Sequence, residues 1–312
     1  MNAKVKGYIL GGIAATTYGM NPLFTLPLYK EGLDPDSVLF FRYLFAIPIL
    51  GIMLKARGRN FKLKRKEIPP LIILGWLVAI SSLTLFQSYN YMEAGIASTI
   101  LFVYPILVAL IIAVVYKEKV SLQTIFCIFL ALSGIGLLYN GADGATLSLI
   151  GIGLVIASSL SYAIYIVGVN RPMLKEVATL KITFYILLFG VLLFLIRVDF
   201  GQSLQIVDKW YLWGNLIALA VFPTTISFLC TTQAIQYIGS TPTAILGALE
   251  PVTAVFFGII IFGETLTLRL CYGIALIILA VTFIIAGGNI TSHLVRFRKL
   301  FPRLPLKPIK SK

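Results

Sequence analysis

The stretch "EPVTAVFFGIIIFGETLTL", Glu250 to Leu268, lies without a gap over "YPILVALIIAVVYKEKVSL", Tyr104 to Leu122. Pro251 then meets Pro105, Glu264 meets Glu118 and Leu268 meets Leu122. The same offset of 146 brings Tyr237 onto Tyr91. At an offset of 144, Gly151 and Tyr162 fall on Gly7 and Tyr18. Identities are sparse, but those shared are helix-breaking and loop-forming residues in the same order. The chain therefore repeats itself once.

Composition says what is repeated. The 312 residues are 59% hydrophobic and 12% charged, with a mean hydropathy of +0.95. A soluble domain is about 45–50% apolar and about 25% charged. Apolar runs of about 20 residues, each enough to cross a bilayer core as a helix, recur along the chain. The alternating strands of a barrel are absent. Ten spans are expected, at 7–28, 36–54, 69–91, 95–116, 121–139, 149–169, 179–197, 211–237, 241–262 and 268–287. The first follows Lys4 and Lys6 but is longer than a leader's apolar region and lacks a small-residue cleavage site, so it is expected to be retained.

The predicted fold is an all-α membrane protein of ten transmembrane helices, arranged as two five-helix repeats (7–139 and 149–287) around a central cavity. A basic tail, 288–312, follows. Five is odd, so the second half enters the membrane from the opposite side. Inverted repeats with a substrate site between them are the architecture of secondary transporters.

The net charge of +14 is unevenly placed. Lys55–Lys66, Lys117, Lys119, Arg171, Lys175, Lys181 and the tail fall on one side of ten alternating spans. Glu31, Asp34, Asp36, Glu93, Asp143, Asp199 and Asp208 fall on the other. By the positive-inside rule both termini are cytoplasmic, and a plasma (bacterial inner) membrane is expected. The basic loop 55–66 and the tail are candidate contacts for anionic lipid. No aromatic-basic module points to nucleic acid. Cys127, Cys230 and Cys271 read as packing residues, and the single histidine, His293, cannot make a metal site alone. No cofactor is expected. With no Walker motif and no nucleophile–base–orienter set, the chain does not read as an ATPase or another enzyme.

The closing signature of each half, "YP" to "YKEKVSL" and "EP" to "FGETLTL", resembles the EamA-type members of the drug/metabolite transporter superfamily. So do "FFRYLFA" (Phe40–Ala46) and the Tyr-x-x-Ala/Ser approach to the fourth and ninth spans. The resemblance covers about residues 7–287. It implies ten helices, cytoplasmic termini and transport of small metabolites, often outward, without fixing the solute. The expected function is alternating-access transport of an amino acid-like or amphiphilic solute, by a monomer or dimer. A lipid flippase of the same fold and a non-transporting sensor are the alternatives.

Polar residues inside spans locate the candidate cavity, because they should face the bundle interior. Helical spacing groups Ser81, Thr84, Ser88 and Tyr91 on one face, Ser158, Ser161, Tyr162 and Tyr165 on a second, and Thr224, Ser227 and Thr231 on a third. Thr243, Gly247 and Glu250 make a fourth. Spans 1, 3, 4, 6, 8 and 9 are therefore expected to line the cavity. The candidate substrate-binding residues are Thr17, Tyr18, Asn21, Thr84, Gln87, Ser88, Tyr104, Ser158, Tyr162, Thr224, Ser227, Thr231 and Glu250. Against this, membrane Ser and Thr often bond their own backbone or glue helices together. Pro22, Pro105, Pro223 and Pro251, with Pro48, are expected to kink their helices, as fixed bends or hinges. Trp76 is expected to pack or to face lipid.

Glu250 stands apart. It is the one acidic residue deep in a span, about 12 Å into the ninth helix at 1.5 Å per residue. A carboxyl there costs a few kcal/mol on insertion scales. Its partner in the repeat is Tyr104, so the symmetry explains Pro251 and not Glu250. It is the candidate for proton or cation coupling, or for holding a solute's amine. The alternative is a structural carboxyl bonded to carbonyls freed at the kink. Arg42, about six residues into the second span, is expected to snorkel to the surface or to form an ion pair.

Overall fold

The structure is a computed structural model that describes residues 2–92, 94–117, 120–138, 148–262, 268, 271–280 and 283. The basic tail lies outside the described residues, as do Glu118 and Glu264.

Every described element is a helix, as a chain in lipid requires, because the backbone must satisfy its own polar groups. Five helices are each long and apolar enough to cross a membrane: Pro35–Ala56, Arg65–Ser88, Leu149–Val169, Thr179–Arg197 and Trp210–Ile238. The first of these is α3. The second contains α4, Ile68–Ser88, the third is α8 and the fourth is α10. The fifth comprises α11, Trp210–Leu219, a π-helical segment, Ala220–Ile226, and α12, Ser227–Ile238.

Among the described residues, the other expected spans hold shorter helices, three of them interrupted. The first is split into α1, Ala3–Tyr18, and α2, Asn21–Lys30. The fourth is split into α5, Ala94–Leu101, and α6, Tyr104–Val115. The ninth is split into α13, Ser240–Leu246, and α14, Leu249–Phe262. The fifth is α7, Leu122–Leu138, and Cys271–Ala280, α15, belongs to the tenth. A four-residue α9, Pro172–Lys175, sits between α8 and α10. Local signals start and stop these elements. Asp34 caps α3 by accepting from the Ser37 N–H at 3.4 Å, with Pro35 next in line. Ser148 caps α8 through the Gly151 N–H. Gly239, at φ +87°, ends α12 and lets α13 start at once.

The helix breaks correct the expected role of three prolines. Pro22, Pro105 and Pro251 do not kink continuous helices. Each lies in the first turn of a new helix, where its missing N–H is not needed. Tight i to i+3 bonds carry the chain across two of the breaks: Val103 N–H to Ile100 O at 3.1 Å, and Ala248 N–H to Ile245 O at 3.0 Å. Pro223 lies in the π segment, and Pro48 inside the unbroken α3.

Two of the carbonyls that these prolines free are met by hydroxyls, and a third, Gly247 O, accepts from the Glu250 N–H at 2.9 Å. The Ser159 hydroxyl lies 3.0 Å from Leu101 O, the acceptor Pro105 cannot serve, and 2.9 Å from Val155 O on its own helix, and shares its proton between them. Thr224 donates to Leu219 O at 2.7 Å, the bond Pro223 cannot make, and Thr225 to Ala220 O at 2.8 Å.

The packing respects the repeat. α4 lies along α8, and its counterpart α12 lies along α1; α3 packs on its counterpart α10. Ser158 donates to Ser81 O at 2.7 Å, and Ser227, equivalent to Ser81, donates to Ala14 O at 2.9 Å. α7 and α15 approach closely: a Cβ on Gly134 would stand 2.7 Å from Gly273 O. The halves are also tied at both ends of the bundle. At one end Arg197 makes a bidentate pair with Asp36, at 3.0 and 2.8 Å. Nearby, Lys209 and Tyr211 donate to Glu31 at 2.5 and 3.2 Å. At the other end Lys181 Nζ donates to Lys62 O at 2.8 Å, and the Tyr185 hydroxyl donates to Phe61 O.

Candidate functional site

The ninth span breaks just before Glu250, and the first breaks at Gly19–Met20. The two breaks are pressed together. A Cβ on Gly19 would lie 2.5 Å from the backbone oxygen of Glu250 and 2.9 Å from Thr253 Cβ. Glu250 is half-buried there and borders two hollows. One is lined by Gly11, Ala14, Ala15, Tyr104, Tyr162, Ile166, Thr231, Thr243, Gly247 and Glu250. The other is lined by Tyr18, Gly19, Asn21, Pro22, Leu85, Tyr89, Ser98, Leu101 and Glu250. Each has a volume of about 10 Å³, room for about one water. All these residues belong to spans 1, 3, 4, 6, 8 and 9.

An aromatic cluster forms the wall. Tyr18 and its repeat partner Tyr162 stack with centroids 6.1 Å apart and planes 14° from parallel. Tyr104 meets Tyr162 edge-on at 5.0 Å, and Tyr165 stacks on Tyr162 at 5.7 Å. These are the offset and T-shaped geometries that ring quadrupoles favour. Thr231 lines the first hollow together with Tyr162. The Tyr104 hydroxyl points at Gly247, where a side chain would collide with it. The Glu250 carboxyl makes no hydrogen bond or ion pair with any described residue, while the Glu250 backbone N–H donates to Gly247 O at 2.9 Å. It is thus not tied to the carbonyls at its own kink.

Of the expected binding residues, Tyr18, Asn21, Tyr104, Tyr162, Thr231 and Glu250 border the hollows, as does Pro22. The others do not. Thr17 donates to Ile13 O and Ala14 O. Thr84 donates to Ile80 O and Ser81 O, and Ser88 to Leu85 O at 2.6 Å. Ser158 and Ser227 fasten helix pairs, Thr224 serves the π segment, and Gln87 is half-buried away from both hollows. Sequence reasoning passed over Gly11, Ala14 and Ala15. Small residues leave no chemical signal, only space.

Arg42 is a correction. It neither snorkels nor finds a carboxylate. It is fully buried, and among the described residues no ion pair includes it. Its Nε donates to Thr224 Oγ1 at 2.5 Å and its Nη2 to Pro223 O at 3.1 Å. Its guanidinium lies 5.2 Å from the Phe86 ring and 5.9 Å from the Tyr18 ring. One signal in the sequence was legible: Val38, Leu39 and Ala46 place Arg42 within an apolar stripe of its helix.

A bundle of apolar helices, several of them broken, around a carboxyl where the halves meet has the form of a multi-pass membrane transporter. Comparison gives the family. Residues 5–140 and 149–286 each match the EamA-like transporter family, so the chain belongs to it, within the drug/metabolite transporter superfamily. It is 31% identical over 252 residues to an uncharacterized transporter of Archaeoglobus fulgidus, covering 80% of this chain and 86% of that one. It is 24% identical over 276 residues to the uncharacterized transporter YcbK of Bacillus subtilis, covering 83% and 85%. A solved crystal structure shares the fold, with a TM-score of 0.74 at 17% identity over 89% of this chain and 95% of the other.

Proposed function

We propose that this protein is a secondary transporter that carries a small organic solute across the plasma membrane by alternating access, with Glu250 as the coupling or amine-binding group. The observation that carries the reading is the place of Glu250. It stands where two broken helices meet, borders both hollows and has no side-chain partner. A carboxyl so placed is free to exchange a proton, or to receive a cationic or zwitterionic solute. Hollows of one-water size, under ties at both ends of the bundle, suit a closed form that must open to admit a solute. Family membership supports transport, and export is the direction the resemblance favours. Five spans per half support inverted repeats, and the basic loop 55–66 supports cytoplasmic termini.

Counterflow in proteoliposomes of the full chain tests this, with a labelled panel of amino acids, nucleosides, sugars and amphiphilic cations. Wild type should exchange one class. Glu250→Gln should lose at least about tenfold of that flux, or lose its dependence on external pH; a drop of that size corresponds to about 1.4 kcal/mol. Equal flux with an equal pH profile removes Glu250 from the mechanism.

A further inference from the structure

The connection between α3 and α4 carries charge that the fold does not use. Seven of the twelve residues from Lys55 to Lys66 are Lys or Arg, and none is acidic. All seven are exposed. Within the described residues Lys64 alone among them has a carboxylate partner, Glu176 at 3.6 Å. That pair is itself exposed and contributes little. A patch of like charges this dense repels itself, and a counter-charge from outside the chain relieves it.

The patch is built, and is not a loose tether. Asn60 Oδ1 accepts from the Lys62 N–H at 2.8 Å. The buried Glu67 accepts from the Lys64 N–H at 3.0 Å. α10 of the other half holds the loop through Lys62 O and Phe61 O, and the Phe61 ring meets Phe184 edge-on at 5.5 Å. These contacts use the loop's backbone and one aromatic ring, and they leave the basic side chains exposed.

The place of the patch along its two helices gives the partner. On α3 an exposed stripe runs through Leu44, Pro48 and Ile52 and ends on Lys55. On α4 a second stripe runs from Trp76 back through Ile73 and Pro69, and Lys66 ends it in the turn that leads into the helix. Steps of three and four keep each set on one face. In a membrane-spanning chain such stripes face acyl chains, so the charges that end them stand among headgroups. Lysine lays its stem along the apolar wall there and lifts its charge into the interface. A soluble acidic protein or a nucleic acid would have to displace lipid to reach Lys55 and Lys66. An anionic lipid is already beside them.

We propose that the 55–66 connection is a docking surface for the headgroups of anionic lipids, of the phosphatidylglycerol and cardiolipin class. Phosphodiester monoanions suit it, because its charges spread over two helix ends and the turn between them rather than converging on one point. Basic clusters next to a span attract such lipids by about 1 kcal/mol per charge, which is about fivefold. The surface does not depend on which solute is carried, so it stands or falls apart from the transport reading.

The test is thermal unfolding of the full purified chain in a neutral detergent, titrated with phosphatidylglycerol or with phosphatidylcholine of the same acyl chains. Wild type should be stabilised by phosphatidylglycerol at concentrations where phosphatidylcholine has little effect. The gain should shrink as salt rises from about 50 mM to about 500 mM. The triple variant Lys55→Gln, Arg59→Gln, Lys66→Gln should need at least about tenfold more phosphatidylglycerol for half of the gain. The variant Lys55→Arg, Arg59→Lys, Lys66→Arg keeps the charges and should behave as wild type. A second measurement serves if the Gln variant does not fold: a phosphatidylglycerol with a photoactivatable headgroup should label residues 55–66 of wild type.

Equal gains from the two lipids overturn the surface, as does an unchanged half-gain concentration in the Gln variant. Labelling confined to other segments overturns it as well. Equal stabilisation by inorganic phosphate would assign the patch to free anions, and stabilisation by poly-glutamate but not by phosphatidylglycerol would assign it to an acidic protein; either result sinks the proposal.

Discussion

Gly247 shows how little room the site has at the residue scale. It follows α13 directly, and the Tyr104 hydroxyl occupies the place where its side chain would be. Gly247→Ala should turn the Tyr104 ring out of its edge-on contact with Tyr162. We expect a loss of about 1–3 kcal/mol from overpacking and a loss of most counterflow. Tyr104→Phe in the same chain should recover part of the stability, because the hydroxyl is the nearest obstacle. Unfolding temperatures of the four variants in one double-mutant cycle check this; purely additive effects contradict it. Gly19→Ala should cost a similar amount without such rescue, since the obstacle there is the backbone of Glu250. The prominence of Glu250 and of the tyrosines was legible in the sequence, because a carboxyl and phenols in an apolar run stand out. The loss of Thr84, Ser88, Ser158 and Ser227 from the cavity was not. A hydroxyl looks the same in sequence whether it faces a solute or a carbonyl one turn back.

At the scale of the element, breaks and hydroxyls work as pairs. Pro105 withdraws a donor from Leu101 O, and Ser159 on α8 replaces it. Ser159→Ala should therefore cost about 0.5–1.5 kcal/mol when Pro105 is present. In a Pro105→Ala background the restored N–H can serve Leu101 O, and the cost should shrink. Chemical unfolding of the full chain, with and without Pro105, reads this; equal costs would mean that the hydroxyl does not compensate the proline. The sequence located every broken span through its proline. It did not show that the break comes before the proline, so that the residue opens a helix rather than bending one. Nor did it reveal the π segment, which depends on Thr224, Thr225 and Arg42 all meeting carbonyls there.

For the whole molecule, the ties between the halves should control opening. At the end that carries Glu31 and Asp36, the bidentate Arg197–Asp36 pair is the strongest candidate, because single exposed ion pairs are worth little. Asp36→Asn should raise the open population at that end severalfold. Spin labels at Lys30 and Ile206 would report it as a longer distance component. The Glu31 tie adds a pH signature. A hydrogen bond from Lys209, and its charge, hold the Glu31 carboxyl below its ordinary range, with Tyr211 assisting. A depressed carboxyl contributes at pH above its unfolded value, and the contribution disappears as pH falls through the folded value. The labelled distance should therefore hold from about pH 5 to 8 and lengthen below about pH 4. Glu31→Gln should show the longer component already at neutral pH. A change centred near pH 7 would assign the switch to another group.

The sequence by itself determined that this chain is an apolar bundle of repeated halves, which spans a proline disturbs, and that Glu250 is out of register with the symmetry. Those properties are local: span length, composition and offset need no neighbours to be read. Only the tertiary structure decided which polar groups are spent within the fold and which are left over. Arg42 is the clearest case. Helix position alone suggested an escape to the surface, because an isolated helix in lipid would send the charge there. Packed between Phe86, Tyr18 and the π segment, the same side chain has no way out.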